Sequence, residues 1–308
     1  MESGLGCPCN RASITKSGSR LNHGRVNFTP IMIQQLHIPK NPALLQVVKF
    51  ITYVELTQED ILDGRTAIFP NATTNILFSL DEDILVNQTS SSNSIYTSCS
   101  STVFFKPFEG MKFMTVQFHS YGLSYLKKIP AFELLDALSH LDIIFSASDI
   151  ERVSSRLKEC KTIGEKFTAL EMFVSKKIGL PEVDPRLPYS LQLLNSEHSI
   201  SIDALSQSLC ISSRGLQKLF KKHIGMSPVY YRKIIRFNKA AQLLLNDSNN
   251  SLTQVSYDCG YFDQAHFIKD FKEFGGISPS EFLRLKSDSS DFYNYKVTEL
   301  HTLDALNP

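Results

Sequence analysis

The 308-residue chain has no tryptophan, only six cysteines and almost no net charge, with 32 Lys or Arg against 31 Asp or Glu. Near neutrality excludes a uniformly basic coating protein, although it leaves room for a local basic surface. The cysteines, Cys7, Cys9, Cys99, Cys160, Cys210 and Cys259, are too sparse for a disulfide scaffold and make no two-pair metal spacing. Reduced thiols are expected. No apolar run approaches the roughly 18 residues of a membrane span, and no charged segment leads into an apolar run with a cleavage site, so a cytoplasmic protein is expected. Phosphate-binding glycine loops, nucleophile elbows and paired metal motifs are missing as well, which argues against an enzyme. His37 and His119 have no His-x-His partner, so neither a metal nor another cofactor is expected.

What is present falls into segments. Residues 1–25 are polar, with glycine and serine, and read as a disordered leader that includes Cys7-Pro8-Cys9. "RTAIFPNATTNILFSL" and "STVFFKPFEGMKFMTVQFH" place Ile68, Ile76, Phe78 and Leu80, and in part Val103, Phe105, Phe113, Val116 and Phe118, near period two, with Pro70, Asn71 and Glu109-Gly110 as breaks. Antiparallel sheet is expected, and core packing explains its aromatics with fewer assumptions than a ligand pocket. From Pro130 the spacing becomes helical in "AFELLDALSHL" (Phe132, Leu135, Leu138), "SDIERVSSRLKEC" and "GEKFTALEMFVSKKI". "GLPEVDPRLP" then carries three prolines in ten residues and reads as a linker over 181–188. The expected class is α+β: a mainly antiparallel β domain with a helical extension over 26–180, an all-α domain over 189–287 and a tail over 288–308.

The all-α segment repeats itself. "SIDALSQSLCISSRGLQKLFKKHIGMSP" overlays "SLTQVSYDCGYFDQAHFIKDFKEFGGISP" with one extra residue in the second turn; Phe220, Lys221, Gly225, Ser227 and Pro228 match Phe271, Lys272, Gly276, Ser278 and Pro279. Each copy reads as a short helix capped by Ser201 or Ser251, a turn (210–212 or 260–263) and a second helix, which makes a helix-turn-helix. The Ser-Pro phrases, 51 residues apart, then start the helix that follows each unit, with serine as cap and proline in the first turn. Between the copies, "PVYYRKIIRFNKAAQLLLN" reads as one linking helix with Ile234, Phe237, Ala241 and Leu244 or Leu245 on one stripe. Counted as about 17 residues, it would be roughly 25 Å long and could hold two reading helices in successive major grooves.

On the first copy's second helix, Leu216, Leu219, Phe220 and Ile224 form an apolar stripe, while Arg214, Gln217, Lys218 and Lys221 recur at i, i+3, i+4 and i+7 on another face. A solvated charged face is the ordinary explanation of such a pattern. The helix-turn-helix setting and side chains suited to base edges favour DNA reading instead. The second copy presents Gln264, His266, Lys269 and Lys272, with Ala265 and Ile268 where the first has Arg214 and Gln217, so phosphate and methyl contacts are expected there more than base hydrogen bonds. Between Pro188 and Lys286, 12 Lys or Arg stand against 8 Asp or Glu, an excess of +4 in a nearly neutral chain.

At this point the C-terminal hundred residues resemble the AraC/XylS family of bacterial transcription regulators, through the repeat and above all "DCGYFDQAHFIKDFKEFGGISPSEF". The resemblance implies that Arg214, Gln217, Lys218, Gln264, Ala265, His266, Ile268 and Lys269 occupy base-contacting positions. Ser213, Lys221, Lys222, Arg236 and Lys272 are the phosphate-contacting candidates. Ala265 and Ile268 depart from the family pattern in lacking base-hydrogen-bonding groups. Residues 26–180 resemble, more weakly, a regulatory domain of the family, which implies small-molecule sensing or homodimerisation. Double-stranded DNA and RNA polymerase are the implied partners. The rival readings are an architectural DNA binder without sequence preference and an enzyme or DNA-repair protein with a catalytic N-terminal half.

Overall fold

A computed structural model describes residues 35–288 except 57–65, 82, 87–88, 98–101, 106–107, 127–129, 136–137, 180–182, 197–199 and 247–250. The leader, including Cys7 and Cys9, lies outside the described residues, as does the tail beyond Asp288. The N-terminal half begins β1 (Gln35–His37), α1 (Pro42–Leu45), β2 (Val48–Glu55), β3 (Thr66–Ile68), β4 (Thr74–Ser79), β5 (Ile84–Val86), β6 (Thr89–Ser91), β7 (Asn93–Tyr96), β8 (Val103–Phe105) and β9 (Lys112–Phe118). It continues with α2 (Leu123–Leu126), β10 (Leu138–His140), α3 (Ala147–Glu159) and α4 (Ile163–Lys177). All recorded pairings are antiparallel, in a six-stranded sheet ordered β1-β2-β9-β4-β7-β10 and a four-stranded sheet ordered β3-β8-β5-β6.

On the central strands β4 and β9 of the larger sheet both faces are buried, so these strands have no solvent side. Ile76, Phe78, Met114, Val116 and Phe118 pack outward in one core with Ile150, Val153 and Leu157 of α3 and Phe167, Leu170 and Val174 of α4. The opposite face carries Val54, Leu77 and Phe113, which cluster with Ile84 of the smaller sheet. By strand register, Thr52, Asn75, Thr115 and Gln117 also belong to this inner face. Thr52 and Thr115 hydroxyls lie 2.7 Å apart, and Gln117 Nε2 donates to Thr73 Oγ1 at 2.8 Å. Capping explains the helical ends: Ser146 starts α3, and Thr162 with Glu165 forms a reciprocal capping box on α4. His37 Nε2 lies 2.9 Å from Glu171 Oε2 and stacks on Phe167, tying β1 to α4.

The helix expected in "AFELLDALSHL" does not form. A 3-10 turn spans Ala131–Glu133, and Leu138–His140 is the strand β10, with Leu138 opposite Tyr96 of β7. Three apolar residues at helical spacing were outweighed by the bonds that extending the sheet beyond β7 provides. Helix α5 (Arg186–Ser196) also starts inside the expected linker, because Pro188 in a first turn removes no helical hydrogen bond.

The C-terminal half continues with α6 (Ile202–Ser208), α7 (Ser213–His223), α8 (Pro228–Asn246), α9 (Leu252–Asp258), α10 (Gln264–Gly275) and α11 (Pro279–Asp288). A second core gathers Leu205, Leu216, Phe220, Ile234, Phe237, Ala241, Leu244, Val255, Phe267, Phe271, Phe274 and Phe282. The linking helix α8 has 19 residues, about 28 Å at 1.5 Å per residue and so longer than the sequence estimate. Among the described residues, no helix is long and apolar enough to cross a membrane.

Candidate nucleic-acid interface

Two helix-turn-helix units, α6–α7 and α9–α10, repeat each other down to single hydrogen bonds. Ser201 Oγ accepts from Ala204 N and Ser251 Oγ from Gln254 N, capping the first helices. Ser212 and Asp263 cap the second helices by accepting from Gly215 N and His266 N at 3.1 and 2.7 Å. The first residue of each second helix reaches the same place on the first helix: Ser213 Oγ donates to Asp203 Oδ1 at 2.9 Å, and Thr253 Oγ1 to Gln264 Oε1 at 3.0 Å. Ser227 Oγ accepts from Tyr230 N, and Ser278 Oγ from Glu281 N, so each Ser-Pro phrase does cap its following helix.

One turn position differs. Gly260 adopts φ +70°, and its counterpart Cys210 takes φ +53° despite its Cβ. A left-handed conformation costs a side-chain-bearing residue about 1–2 kcal/mol, partly offset by glycine's larger unfolded-state entropy. Cys210→Gly is therefore expected to stabilise the chain by roughly 0.5–1 kcal/mol in a denaturant titration.

The second helices turn one face inward and one outward. Leu216, Phe220 and His223 are buried on α7, whereas Arg214, Gln217, Lys218, Lys221 and Lys222 are exposed. On α10, Phe267, Phe271 and Phe274 are buried, while Ala265, Lys269 and Lys272 are exposed and Gln264, His266 and Ile268 are half-buried. Helical spacing puts Arg214, Gln217, Lys218 and Lys221 on one stripe and Ala265, Ile268, Lys269 and Lys272 on its equivalent. Lys218 and Lys222 also edge a cleft of about 350 Å³ with Arg186, Asp184 and His223. Lys221 Nζ lies 5.3 Å from the centre of the Phe132 ring. Arg236 is half-buried on α8 with its guanidinium 5.7 Å from the Tyr261 ring centre, a packing position more than an outward one.

Sequence reasoning missed the polar interior of the second unit. Asp270, 1% exposed, accepts from Lys233 Nζ of α8 at 2.9 Å and lies 3.4 Å from His266 Nε2. Burial opposes charge on Lys233, but Asp270 and Glu273 together raise its pKa. This pair fixes the angle of α10 on the linking helix; its signal was an acid on the apolar stripe of α10.

The N-terminal half grips both units. Ser124 Oγ lies 2.8 Å from His223 Nδ1 at the end of α7, and Gly225, at φ +90°, presses against the Ala131 backbone. Phe69 enters the core of the other unit, its ring 5.6 Å from Phe237 and 6.1 Å from Phe282; Asn238 Nδ2 donates to Pro70 O and Thr102 Oγ1 to Phe274 O. Burial, reinforced by Lys222 and opposed by Asp184, lowers the His223 pKa below its usual 6.5. The unfolded chain then binds the proton more readily than the folded one. Stability contributed by neutral His223 is present above pH 6.5 and declines as pH falls from there through the lower folded value. Melting temperature across that interval is expected to fall less steeply in His223→Gln.

A family profile described as a helix-turn-helix domain matches residues 205–285. The C-terminal third is an AraC-type helix-turn-helix domain. This AraC-type domain is 31% identical over 99 residues to the HTH-type transcriptional regulator ArgR of Pseudomonas aeruginosa, covering 32% of this chain and 30% of that protein. It is 30% identical over 105 residues to the arabinose operon regulatory protein of Escherichia coli, covering 33% and 36%. The chain thus spans about a third of the length of these relatives. A structure of ToxT from Vibrio cholerae aligns over 76% of this chain and 97% of its own, at 15% identity and a TM-score of 0.42. Outside the AraC-type segment, the described residues hold no group of three or more His, Cys, Asp or Glu arranged for a metal. Cys160 and Cys259 are buried, and burial pushes the Cys259 thiol up to about 12, so Cys259 is no thiolate nucleophile near neutral pH.

Proposed function

We propose that the protein is a sequence-specific DNA-binding transcription regulator, without catalytic activity, acting in the cytoplasm. The observation that carries this reading is the duplicated presentation of α7 and α10, each turning an equivalent stripe outward from one shared core. Arg214, Gln217 and Lys218 read base edges from the first unit, Arg214 by donating to guanine O6 and N7. Gln264, Ala265, His266, Ile268 and Lys269 face bases from the second. Ser213, Lys221, Lys222 and Lys272 hold phosphates, while Arg236 steadies Tyr261. In this reading residues 26–180 regulate and residues 189–287 bind DNA.

In this reading the N-terminal half senses a small effector or pairs with a second copy, and RNA polymerase is the downstream partner. Asn75 Oδ1 and Ser94 Oγ, buried in the larger sheet without a hydrogen-bond partner among the described residues, support an uncharged, hydrogen-bonding effector. Selection of bound duplexes from random DNA by the full chain tests the function. Arg214→Ala is expected to lose about 1–3 kcal/mol on the selected site and relax one base position, whereas Lys222→Ala weakens all sequences alike. Equal losses on selected and random DNA for Arg214→Ala would sink the base-reading role. Failure to select any sequence would leave an architectural binder.

A further inference from the structure

Phe262 is the one residue by which the second helix-turn-helix exceeds the first, and among the described residues it is not part of a buried core. Its side chain is 88% exposed, the highest value among the large apolar side chains described. The preceding Tyr261 fills the core instead, with its ring 5.4 Å from Phe267. In the first unit the half-buried Ile211 stands at the Tyr261 position, and the cap Ser212 follows at once. Asp263 caps α10 as Ser212 caps α7, so the inserted phenylalanine is not required for turn or cap.

Position supplies a reason for the exposure. Phe262 directly precedes the cap of α10, and exposed Ala265 lies in the first turn, at the end of a recognition helix that meets base edges. Lys269 and Lys272 follow on the outward stripe, so the apolar tip is backed by charges suited to the phosphates beside a groove. The 5-methyl of thymine is the apolar group that the major groove presents, and phenylalanine and alanine side chains suit it.

We infer that Phe262, with Ala265, is a specificity-determining contact that reads thymine methyl groups, so the two units read DNA by different chemistry: hydrogen bonds in the first, methyl contact in the second. This rests on the DNA-binding reading above and adds a residue and a base to it.

The test replaces each thymine of a selected site, one at a time, by deoxyuridine, which removes the methyl and keeps every hydrogen bond. For the full-length protein, one or two thymines are expected to lose roughly fourfold in affinity each. These should lie about one helical turn from the position relaxed in Arg214→Ala. Phe262→Ala should bind the thymine site more weakly and no longer distinguish deoxyuridine there; Phe262→Leu should retain part of the discrimination. Melting of Phe262→Ala should match the parent, which separates a lost contact from a lost fold. Indifference of the parent to deoxyuridine throughout, or undiminished discrimination in Phe262→Ala, overturns the inference while leaving a protein that still selects DNA. So does unchanged DNA binding by Phe262→Ala with loss of transcription in a reconstituted assay, which would assign Phe262 to a protein partner. A parent that selects no sequence refutes the underlying reading instead.

Discussion

Phe69→Ala is expected to lower unfolding free energy by about 3–5 kcal/mol, the usual cost of deleting a buried aromatic. Phe69 comes from the strand-bearing half yet is only 7% exposed, with its ring against Phe237 and Phe282 of the other half. The loss therefore falls on a contact between halves. Calorimetry should show two separated transitions in the variant where the parent shows more closely coupled melting. Asn238→Ala, which removes the donor to Pro70 O without opening a large void, should move in the same direction by about 0.5–1.5 kcal/mol. A Phe69→Ala protein that melts like the parent would show that this ring does not join the halves in solution.

A loss of similar size, about 3–5 kcal/mol, is expected for Phe220→Ala, but with a different distribution. Phe220 is fully buried in the first unit, in a T-shaped contact with Tyr231 of α8 at 5.9 Å between centroids. Its removal loosens α7 against the linking helix and should release protection of α7 amides in hydrogen exchange, while Phe271 and Phe274 keep α10 protected. DNA binding should then fall on every sequence because the reading face is no longer held. An unchanged melting profile, or equal loss of protection in both units, would contradict the assignment of Phe220 to the first unit's core.

Much of the C-terminal half was legible because local signals and packing agree there. Serine caps, Ser-Pro starts, glycine at Gly225 and Gly276 and the stripe Ile234, Phe237, Ala241, Leu244 all specify the same helices, and the structure places each as that pattern demands. Leu245 is only half-buried, which settles the end of the stripe in favour of Leu244. The N-terminal half was less legible because both faces of its main sheet are covered. Thr52, Asn75, Thr115 and Gln117 look like a solvent side in sequence but are buried, so period two could not say which face is the core. Strand β2, from Val48 to Glu55, was missed for that reason: its polar residues Lys49 and Thr52 stand three apart in VKFITYVE, so the run gives no alternation to read.

For the candidate interface, spacing alone identified the outward stripes, since the heptad positions of α7 and α10 follow from their caps. It could not find contacts that depend on distant chain segments. Lys221 against Phe132 and His223 against Ser124 join residues about 90 to 100 positions apart, and neither partner carries a motif.

The strand-bearing half holds α8 at two places: through Ser124 and Ala131 against His223 and Gly225 just before its first residue, and through Phe69 and Pro70 against Phe237 and Asn238 at its middle. A rod held at its start and at its middle cannot rotate between those points without straining one of the contacts. Displacing Ser124 relative to Pro70 is therefore expected to strain α8 between its start and its middle, as calipers are strained when one jaw is moved and the other is held.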